Sequence, residues 1–268
     1  MKLTILIYCP DQKGIINAVT NFLYVKGGNI VYLDQHVDKE TGIFFMRLES
    51  EFQNAPKLSE LRTDFESDLV MPFQMQWRFY EHGNKPKMAI FVSKYDHCLY
   101  DLLGRYNSGE LQVEIPFILS NHNDLSRVAQ QFKIPFHHVP VSKAIKTEAE
   151  QTQIRLLKAH HVDFIVLARY MQIINTPLIK AYTNKIINIH HSFLPAFAGA
   201  KPYHAAFKRG VKIIGATSHY VTEELDAGPI IAQDVTPVSH AHSIKDFIAK
   251  GRDLEKIVLS NAVRLHVA

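Results

Sequence analysis

Short apolar runs alternate with helical patterns from Met88 to the end of the sequence. Runs such as MAIFVS, DFIVLAR and KIINIHH have the length of strands, and segments with apolar residues at helical spacing separate most of them. Strands joined by helices pair in parallel, in a sheet that is covered by helices on both faces. We therefore predict a doubly wound, mostly parallel α/β domain over residues 87–268.

A different order of patterns precedes this region. Strand, helix, strand, strand, helix and strand patterns follow one another from LTILIYCP to QMQWRFY. This β-α-β-β-α-β order is typical of a ferredoxin-like domain, in which two helices cover one face of a four-stranded antiparallel sheet. The segment EHGNKPK then interrupts all periodicity with glycine, proline and alternating charge. It is predicted to link a first domain, residues 1–82, to the second.

The composition argues against nucleic acid and membrane partners. The net charge is only +4, and the 30 Lys and Arg residues are interspersed with 26 Asp and Glu residues. The sequence therefore has no basic run that could follow a phosphate backbone. No apolar segment of the sequence is long enough to span a bilayer, and the first residues lack a signal-peptide cleavage site. Two cysteines are too few for a disulfide framework. We expect a cytoplasmic protein with reduced thiols.

Polar side chains gather at the end of one predicted strand, in NKIINIHHSFLP. Alternate residues of a strand share a face, so Asn188 and His190 lie together and Ile187 and Ile189 point to the other face. Ligands bind at the carboxyl ends of the strands in open α/β sheets. Asn188 and His190 are therefore candidate site residues.

A carboxylate in a second segment complements this pair. In VTEELDAGPII, Asp226 lies in a glycine-containing loop between two apolar strand patterns. Together, Asn188, His190 and Asp226 supply a hydrogen-bond donor, a group that titrates near neutral pH and a proton acceptor. This set suits attack on a carbonyl carbon without a metal or a covalent intermediate.

The same motifs carry a family resemblance. NIHHSFLP, GATSHYVT and LDAGP resemble the Asn-x-His, Ser-x-Leu-Pro and Leu-Asp-x-Gly-Pro signature of the folate-dependent formyltransferase family. The segment CPDQKGIINAVTNFLYVKGGNIVYLDQHVD resembles an ACT regulatory domain. This pairing implies a hydrolase that releases formate from 10-formyltetrahydrofolate, which would supply purine synthesis and balance one-carbon pools. It also implies that the folate is the substrate and that no cofactor is needed.

Two other functions stay open at this stage: a formyltransferase that acts on an amine, and a catalytically silent amino-acid sensor. The retained Asn188, His190 and Asp226 argue against the sensor. Transformylases of the family carry a glycine-rich, phosphate-binding loop after their first strand, whereas VSKYDHCLYDLL contains no glycine. Asp96, near the start of the next helix, would repel a phosphate from the helix amides. His191 also resembles the hydrolase pattern.

The resemblance assigns roles to the candidate residues. His190 and Asn188 would donate hydrogen bonds to the developing oxyanion. Asp226 would either deprotonate water or keep His190 protonated, and the sequence leaves both roles open. The LARYMQII segment and the loop before Asp226 would hold the pterin ring, although Met171 and Ile174 also suit an ordinary core. The implied substrate-binding residues are Arg169, Met171, Gln172, Ile174, Thr222, Glu223 and Leu225.

Other polar residues have simpler interpretations. Adjacent histidine pairs point to opposite faces of a strand, so we predict no metal site. His219 either lines the pocket or packs in the core, and packing is the preferred interpretation. Asp11, Gly14 and Asn29 suit a helix cap and a chain reversal; the ACT resemblance instead implies a small amino-acid effector site there. Because an unpaired edge strand favours association, we expect a homodimer or homotetramer.

Overall fold

A computed structural model describes residues 1–54, 56–83, 85–142, 144–196 and 202–267. The chain divides into two compact units, Met1–Lys85 and Pro86–Ala268. Asn84 of the predicted linker, the last residue of the predicted second domain and residues 197–201, which follow the SFLP motif, lie outside the described residues.

The first unit is a four-stranded antiparallel sheet with helices packed on it. The sheet order is β2-β3-β1-β4, as expected of the predicted ferredoxin-like domain. A π-helical turn, Glu66–Val70, separates the second and third helices. The elements are β1 (Lys2–Pro10), α1 (Ile15–Val25), β2 (Gly28–Asp38), β3 (Ile43–Phe52), α2 (Leu58–Phe65), α3 (Met71–Phe73) and β4 (Gln76–His82).

The core of this unit follows from strand alternation. Leu3, Ile5 and Ile7 of β1 are buried on one face, where they join side chains of α1 and α2. Phe65 of α2 fills the centre, and its ring lies 5.3 Å from the ring of Phe22 in α1. One face of the sheet is therefore closed by helices.

The start of α1 differs from the predicted helix cap. The N-cap position is Gly14, whose φ of +97° is accessible to glycine, and no side chain caps the helix. Asp11 instead donates its backbone N–H to the carbonyl of Gly42. The prediction of Asp11 as the cap was therefore wrong, because the chain makes one further turn before the helix begins. Gly27, at φ +77°, makes the reversal into β2.

The second unit is a seven-stranded sheet in the order β11-β10-β9-β8-β5-β6-β7. Strands β5 to β9 pair in parallel, whereas β10 is antiparallel to both β9 and β11. The predicted fold class, a ferredoxin-like domain followed by a doubly wound, mostly parallel α/β domain, is confirmed. The strands are β5 (Met88–Val92), β6 (Ile118–Ser120), β7 (Phe136–His138), β8 (Phe164–Leu167), β9 (Ile186–His190), β10 (Ile213–Tyr220) and β11 (Ile230–Pro237).

Helices cover both faces of this sheet. Met88 and Ile90 of β5 pack towards α4, α5 and α9, while Phe91 packs towards α6 and α7. Burial on both faces explains why the parallel strands are continuous apolar runs. The helices are α4 (His97–Asn107), α5 (Ser126–Gln131), α6 (Lys146–Ala159), α7 (Thr176–Ala181), α8 (Pro202–Arg209) and α9 (Ile244–Val267).

Two strands are shorter than their sequence patterns. Only Ile118–Ser120 of VEIPFILS is strand, because Pro116 has no N–H to donate to the ladder. The DFIVLAR strand ends at Leu167, and Arg169 adopts a left-handed φ of +64°. Among the described helices, none has both the length and the apolar character needed to cross a membrane.

Candidate active site

An ion pair joins the two predicted catalytic segments. His190, the last residue of β9, places its Nδ1 atom 3.3 Å from Oδ2 of Asp226. The side chains are 8% and 22% exposed, respectively. The other ring nitrogen of His190, Nε2, is buried and has no hydrogen-bond partner among the described residues. A buried polar atom without a partner is costly, so this atom is poised to form a hydrogen bond with a ligand.

A second histidine, which the sequence interpretation left in the core, completes the site. His219 lies directly opposite Asn188 in the β9–β10 pairing. Its Nε2 atom is 3.2 Å from Nδ2 of Asn188 and 3.6 Å from Oδ1 of Asp226. The preferred packing interpretation of His219 was therefore incomplete, because the residue is buried and also contacts two of the three candidate catalytic residues.

Hydrogen bonding orients the amide of Asn188. Nδ1 of His219 is 2.9 Å from the carbonyl oxygen of Tyr220, which can only accept, so this nitrogen carries a proton. Nε2 of the neutral ring is then an acceptor and takes one N–H of the Asn188 amide. The second N–H of that amide remains to be offered to a ligand.

The charge of Asp226 is stabilised by its neighbours. Hydrogen bonding with His190 holds the pKa of the Asp226 carboxyl well below its usual range and outweighs the opposing effect of partial burial. Asp226 is therefore an ionised carboxylate at neutral pH.

The backbone of the Asp226 loop is unusual at two positions. Asp226 itself has a φ of +56°, a left-handed conformation that is uncommon for a residue with a side chain. A Cβ atom added to Gly228 would lie 1.8 Å from the carbonyl oxygen of Tyr220. The loop can approach β10 this closely only because residue 228 is glycine.

The predicted pterin-binding segment leaves β8 next to the strand that carries His190. We call residues 169–175 the substrate loop. Its Met171 side chain is 49% exposed, whereas Ile174 belongs to a buried cluster with Leu167 and Leu178. Met171 can thus form a wall of a pocket, and Ile174 anchors the loop in the core. Gln172, partly buried, donates its backbone N–H to the carbonyl of Tyr170.

Side chains from neighbouring elements hold the substrate loop. Ser93 accepts a hydrogen bond from the backbone N–H of Met171 at 3.0 Å. The two carboxylate oxygens of Glu150 accept from the backbone N–H and the side-chain amide of Asn175, each at 2.9 Å. The first residue of the loop, Arg169, is buried and points its guanidinium towards Glu255 rather than into solvent.

The other predicted substrate-binding residues lie in the loop that leads to Asp226. Thr222 donates its hydroxyl to the carbonyl of Glu224 at 3.0 Å, and Glu223 lies 3.7 Å from the ammonium of Lys180. Leu225 is largely exposed. These side chains leave one apolar residue and one carboxylate at the surface beside Asp226.

The predicted effector residues are in the first unit. Asp11 follows β1, Gly14 precedes α1, and Asn29 lies in β2, the edge strand of that sheet. The backbone carbonyl of Asn29 accepts a hydrogen bond from Ser50. All three residues are exposed.

Comparison with known proteins defines the class first. The family model described as formyl transferase matches residues 86–263, and the ACT domain model matches residues 3–66. Fold and site together therefore define a formyl transferase unit that is preceded by an ACT domain.

Full-length relatives narrow this class. The chain is 50% identical to a formyltetrahydrofolate deformylase of Synechocystis sp., over 98% of this chain and 93% of the relative. It is 46% identical to a formyltetrahydrofolate deformylase of known crystal structure from Pseudomonas syringae pv. tomato, with a TM-score of 0.96 over 100% of this chain and 90% of that one. The chain belongs to the formyltetrahydrofolate deformylase family, as the sequence motifs predicted.

A more distant neighbour shares the second unit's fold. Glycinamide ribonucleotide transformylase 1 from Geobacillus kaustophilus is 29% identical, with a TM-score of 0.64 over 69% of this chain and 100% of that one.

Proposed function

We propose that this protein hydrolyses 10-formyltetrahydrofolate to formate and tetrahydrofolate. The family supports the substrate and the reaction. The structural observation that carries the proposal is the buried, unpartnered Nε2 atom of His190, whose ring is held by an ionised Asp226 through Nδ1. An imidazolium in this position donates its Nε2 proton to a formyl oxygen that becomes negative as water attacks.

The roles of the polar side chains follow from the reaction. The water oxygen forms a bond to the formyl carbon, and the carbonyl oxygen gains the charge. His190 Nε2–H and the free N–H of Asn188 donate to that oxygen, and one such donor contributes about 3–4 kcal/mol in other enzymes. The oxyanion then re-forms its C=O bond as the bond from carbon to N10 breaks. One proton of the attacking water passes to the folate nitrogen, the other is released to solvent, and the product leaves as formate.

The low pKa of Asp226 favours one of the two roles that the sequence left open. A carboxylate with so low a proton affinity is a poor base at neutral pH. It is well suited to stabilise a positive charge on His190 and to orient the attacking water. We therefore assign Asp226 the role of partner to the imidazolium, with His219 orienting Asn188.

The folate substrate is proposed to bind between the substrate loop and the Asp226 loop. Met171 and Gln172 form one wall, Ile174 anchors that loop in the core, and Arg169 lies at its start. Thr222, Glu223 and Leu225 form the other wall. The chemistry assigned to these side chains is complete without a metal or a further cofactor.

Regulation and assembly are proposed from the first unit. An amino acid is proposed to bind near Asp11, Gly14 and Asn29, as the ACT resemblance implies. Three consecutive apolar residues of edge strand β2, Val31, Tyr32 and Leu33, are between 37% and 45% exposed. Pairing of this strand with a second copy would form a homodimer or homotetramer. The proposed location is the cytoplasm, where the two buried free cysteines stay reduced.

One assay separates hydrolysis from transfer. Pure protein is mixed with 10-formyltetrahydrofolate in a buffer without amines, and formate and tetrahydrofolate are quantified. The proposal predicts that the two products appear in equal amounts. Release of tetrahydrofolate only after an amine is added would show that the protein is a transferase instead.

A further inference from the structure

A buried carboxylate outside the catalytic trio holds polar side chains from three other segments. Glu255 of α9 is 1% exposed. Its Oε2 atom is 2.8 Å from Nε2 of His97 and 3.5 Å from Nε of Arg169, and its Oε1 atom accepts the hydroxyl of Tyr203 at 2.6 Å. We call His97, Arg169, Tyr203 and Glu255 the Glu255 cluster.

The fold is shaped to let Tyr203 reach this carboxylate. Gly251 lies one helical turn before Glu255, and a Cβ atom there would be 2.2 Å from the Tyr203 ring. The hydroxyl can therefore approach α9 closely. A buried carboxylate is tolerated only when donors surround it, and here a hydroxyl, an imidazole and a guanidinium do so.

A metal centre is the weaker interpretation of the same place. Ligand atoms of His97, Cys98 and Glu255 lie within 4.8 Å of one another. However, the carboxylate already forms hydrogen bonds with His97 and Tyr203 and an ion pair with Arg169, whose guanidinium would repel a cation. Burial also raises the pKa of the Cys98 thiol well above its usual value, so the thiolate that a metal requires is disfavoured.

Arg169 connects the Glu255 cluster to the substrate loop. Its φ of +64° is a left-handed backbone conformation, which residues other than glycine and asparagine rarely adopt. Such a conformation persists when surrounding contacts over-determine it. Here the guanidinium is paired with Glu255 and lies 4.9 Å from the centre of the Tyr95 ring.

The substrate loop thus has three attachment points. Met171 is bonded to Ser93, and Asn175 is bonded to Glu150. The first residue, Arg169, is attached through its side chain to Glu255. We propose that Glu255 is a positioning residue that acts through Arg169 to hold the substrate loop in the conformation that binds folate. This inference rests on the proposed function, because it concerns the same substrate site.

The experiment compares Glu255→Gln with Glu255→Asp, which keeps the charge but withdraws the carboxylate from Arg169. Asp253→Asn is the matched control, because Asp253 is an exposed residue of the same helix that pairs with Lys256. Two quantities are measured: hydrogen–deuterium exchange of the peptide 168–175 in the free protein, and steady-state hydrolysis of 10-formyltetrahydrofolate. Circular dichroism checks that each variant is folded.

We expect Glu255→Gln to accelerate exchange in peptide 168–175 about tenfold and to raise KM about tenfold, with kcat within about threefold of the original value. Glu255→Asp should raise both the exchange rate and KM by a smaller factor. If Glu255→Gln does not fold, Glu255→Asp alone provides the test. Asp253→Asn should leave both unchanged.

A second test isolates Arg169. Glycine adopts the left-handed conformation without strain, so in an Arg169→Gly background the loop no longer depends on the anchor. Adding Glu255→Gln to that variant should change exchange in peptide 168–175 by less than about twofold.

The outcomes are distinguishable. Unchanged exchange in both Glu255 variants, or a lowered kcat with an unchanged KM, would overturn the positioning role. If Glu255→Gln accelerated exchange in peptide 168–175 as much in the Arg169→Gly background as in the original protein, Glu255 would not act through Arg169. The exchange measurement needs no substrate, so it tests the anchor even if the protein proved not to hydrolyse formyltetrahydrofolate.

Discussion

At the scale of single residues, the decisive feature is a carboxylate held between two histidines. Asp226 contacts His190 through one oxygen and His219 through the other. The pairing with His190 keeps Asp226 ionised, and the Nε2 atom of His190 has no hydrogen-bond partner among the described residues. In the proposed mechanism these residues have separate tasks: Asp226 carries the negative charge, and His190 and Asn188 donate hydrogen bonds.

His219 provides the first residue-scale prediction. Leucine at position 219 cannot accept the Asn188 N–H, so the amide loses its orientation, and we expect kcat to fall about 10²-fold with KM nearly unchanged. Glutamine can replace the acceptor and should retain more activity. Steady-state kinetics check this, with the exposed His204→Gln as control. Equal activity of the leucine variant and the original protein would refute the role.

Gly228 provides the second residue-scale prediction. Alanine there would place a Cβ 1.8 Å from the Tyr220 carbonyl, so Gly228→Ala should displace the Asp226 loop and lower kcat at least about tenfold. Gly104, in the interior of α4, has open space around it, so Gly104→Ala should raise the free energy of unfolding by about 0.5–1 kcal/mol. Kinetics and urea unfolding measure the two effects. An active Gly228→Ala variant would contradict the described loop geometry.

The sequence was sufficient to name Asn188, His190 and Asp226, because spacing on a strand and a glycine turn are local signals. The role of His219 depends on the register between β9 and β10, which no local pattern encodes. The charge of Asp226 depends on its contact with His190 in a separate segment, so its role could not be chosen before that contact was known.

At the scale of elements, helix α9 contributes to the second unit at its middle and at its carboxyl end. Its middle carries Glu255, and its last turns carry His266, whose Nδ1 is 2.9 Å from the Tyr220 hydroxyl. The His266 ring also lies 4.6 Å from the Phe164 ring. Burial lowers the pKa of His266 to about 4. The closing helix is thus bonded to the strand from which the Asp226 loop departs.

This burial predicts a pH dependence of stability. His266 is neutral in the folded protein but takes up a proton below pH of about 6.5 once unfolded. Its contribution is therefore fully present above pH 6.5 and is lost as the pH falls towards 4, by on the order of 2 kcal/mol. Urea unfolding of the original protein and His266→Gln between pH 4 and 8 measures it. A constant difference between the two proteins over this range would contradict the prediction.

Element order was predicted more reliably than element ends. Alternating apolar patterns identified the eleven strands found in the described part of the chain, but Pro116 shortened β6 and the left-handed Arg169 ended β8. The proposed anchor of Arg169 is Glu255 of α9, which lies more than 80 residues further along the sequence. Local patterns contain no such information.

At the scale of the whole molecule, two units with different cores are joined in one chain. The apolar edge of the first unit's sheet is the basis for the proposed assembly. Tyr32→Lys places a charge on β2 and should convert an oligomer into monomers, because a lysine on an edge strand opposes pairing. Light scattering after gel filtration measures the mass, with Lys39→Glu in the adjoining turn as control. An unchanged oligomer in Tyr32→Lys would place the interface elsewhere.

The central claim is that an ionised Asp226 stabilises the positive charge on His190 and orients the water that attacks the formyl group. Asp226→Asn keeps the shape of the side chain but removes its charge. The most direct measurement is the turnover of 10-formyltetrahydrofolate by this variant, together with its Kd for tetrahydrofolate. We predict that kcat falls about 10²–10⁴-fold while Kd changes less than about threefold. A variant that retained most of the original turnover would contradict the account.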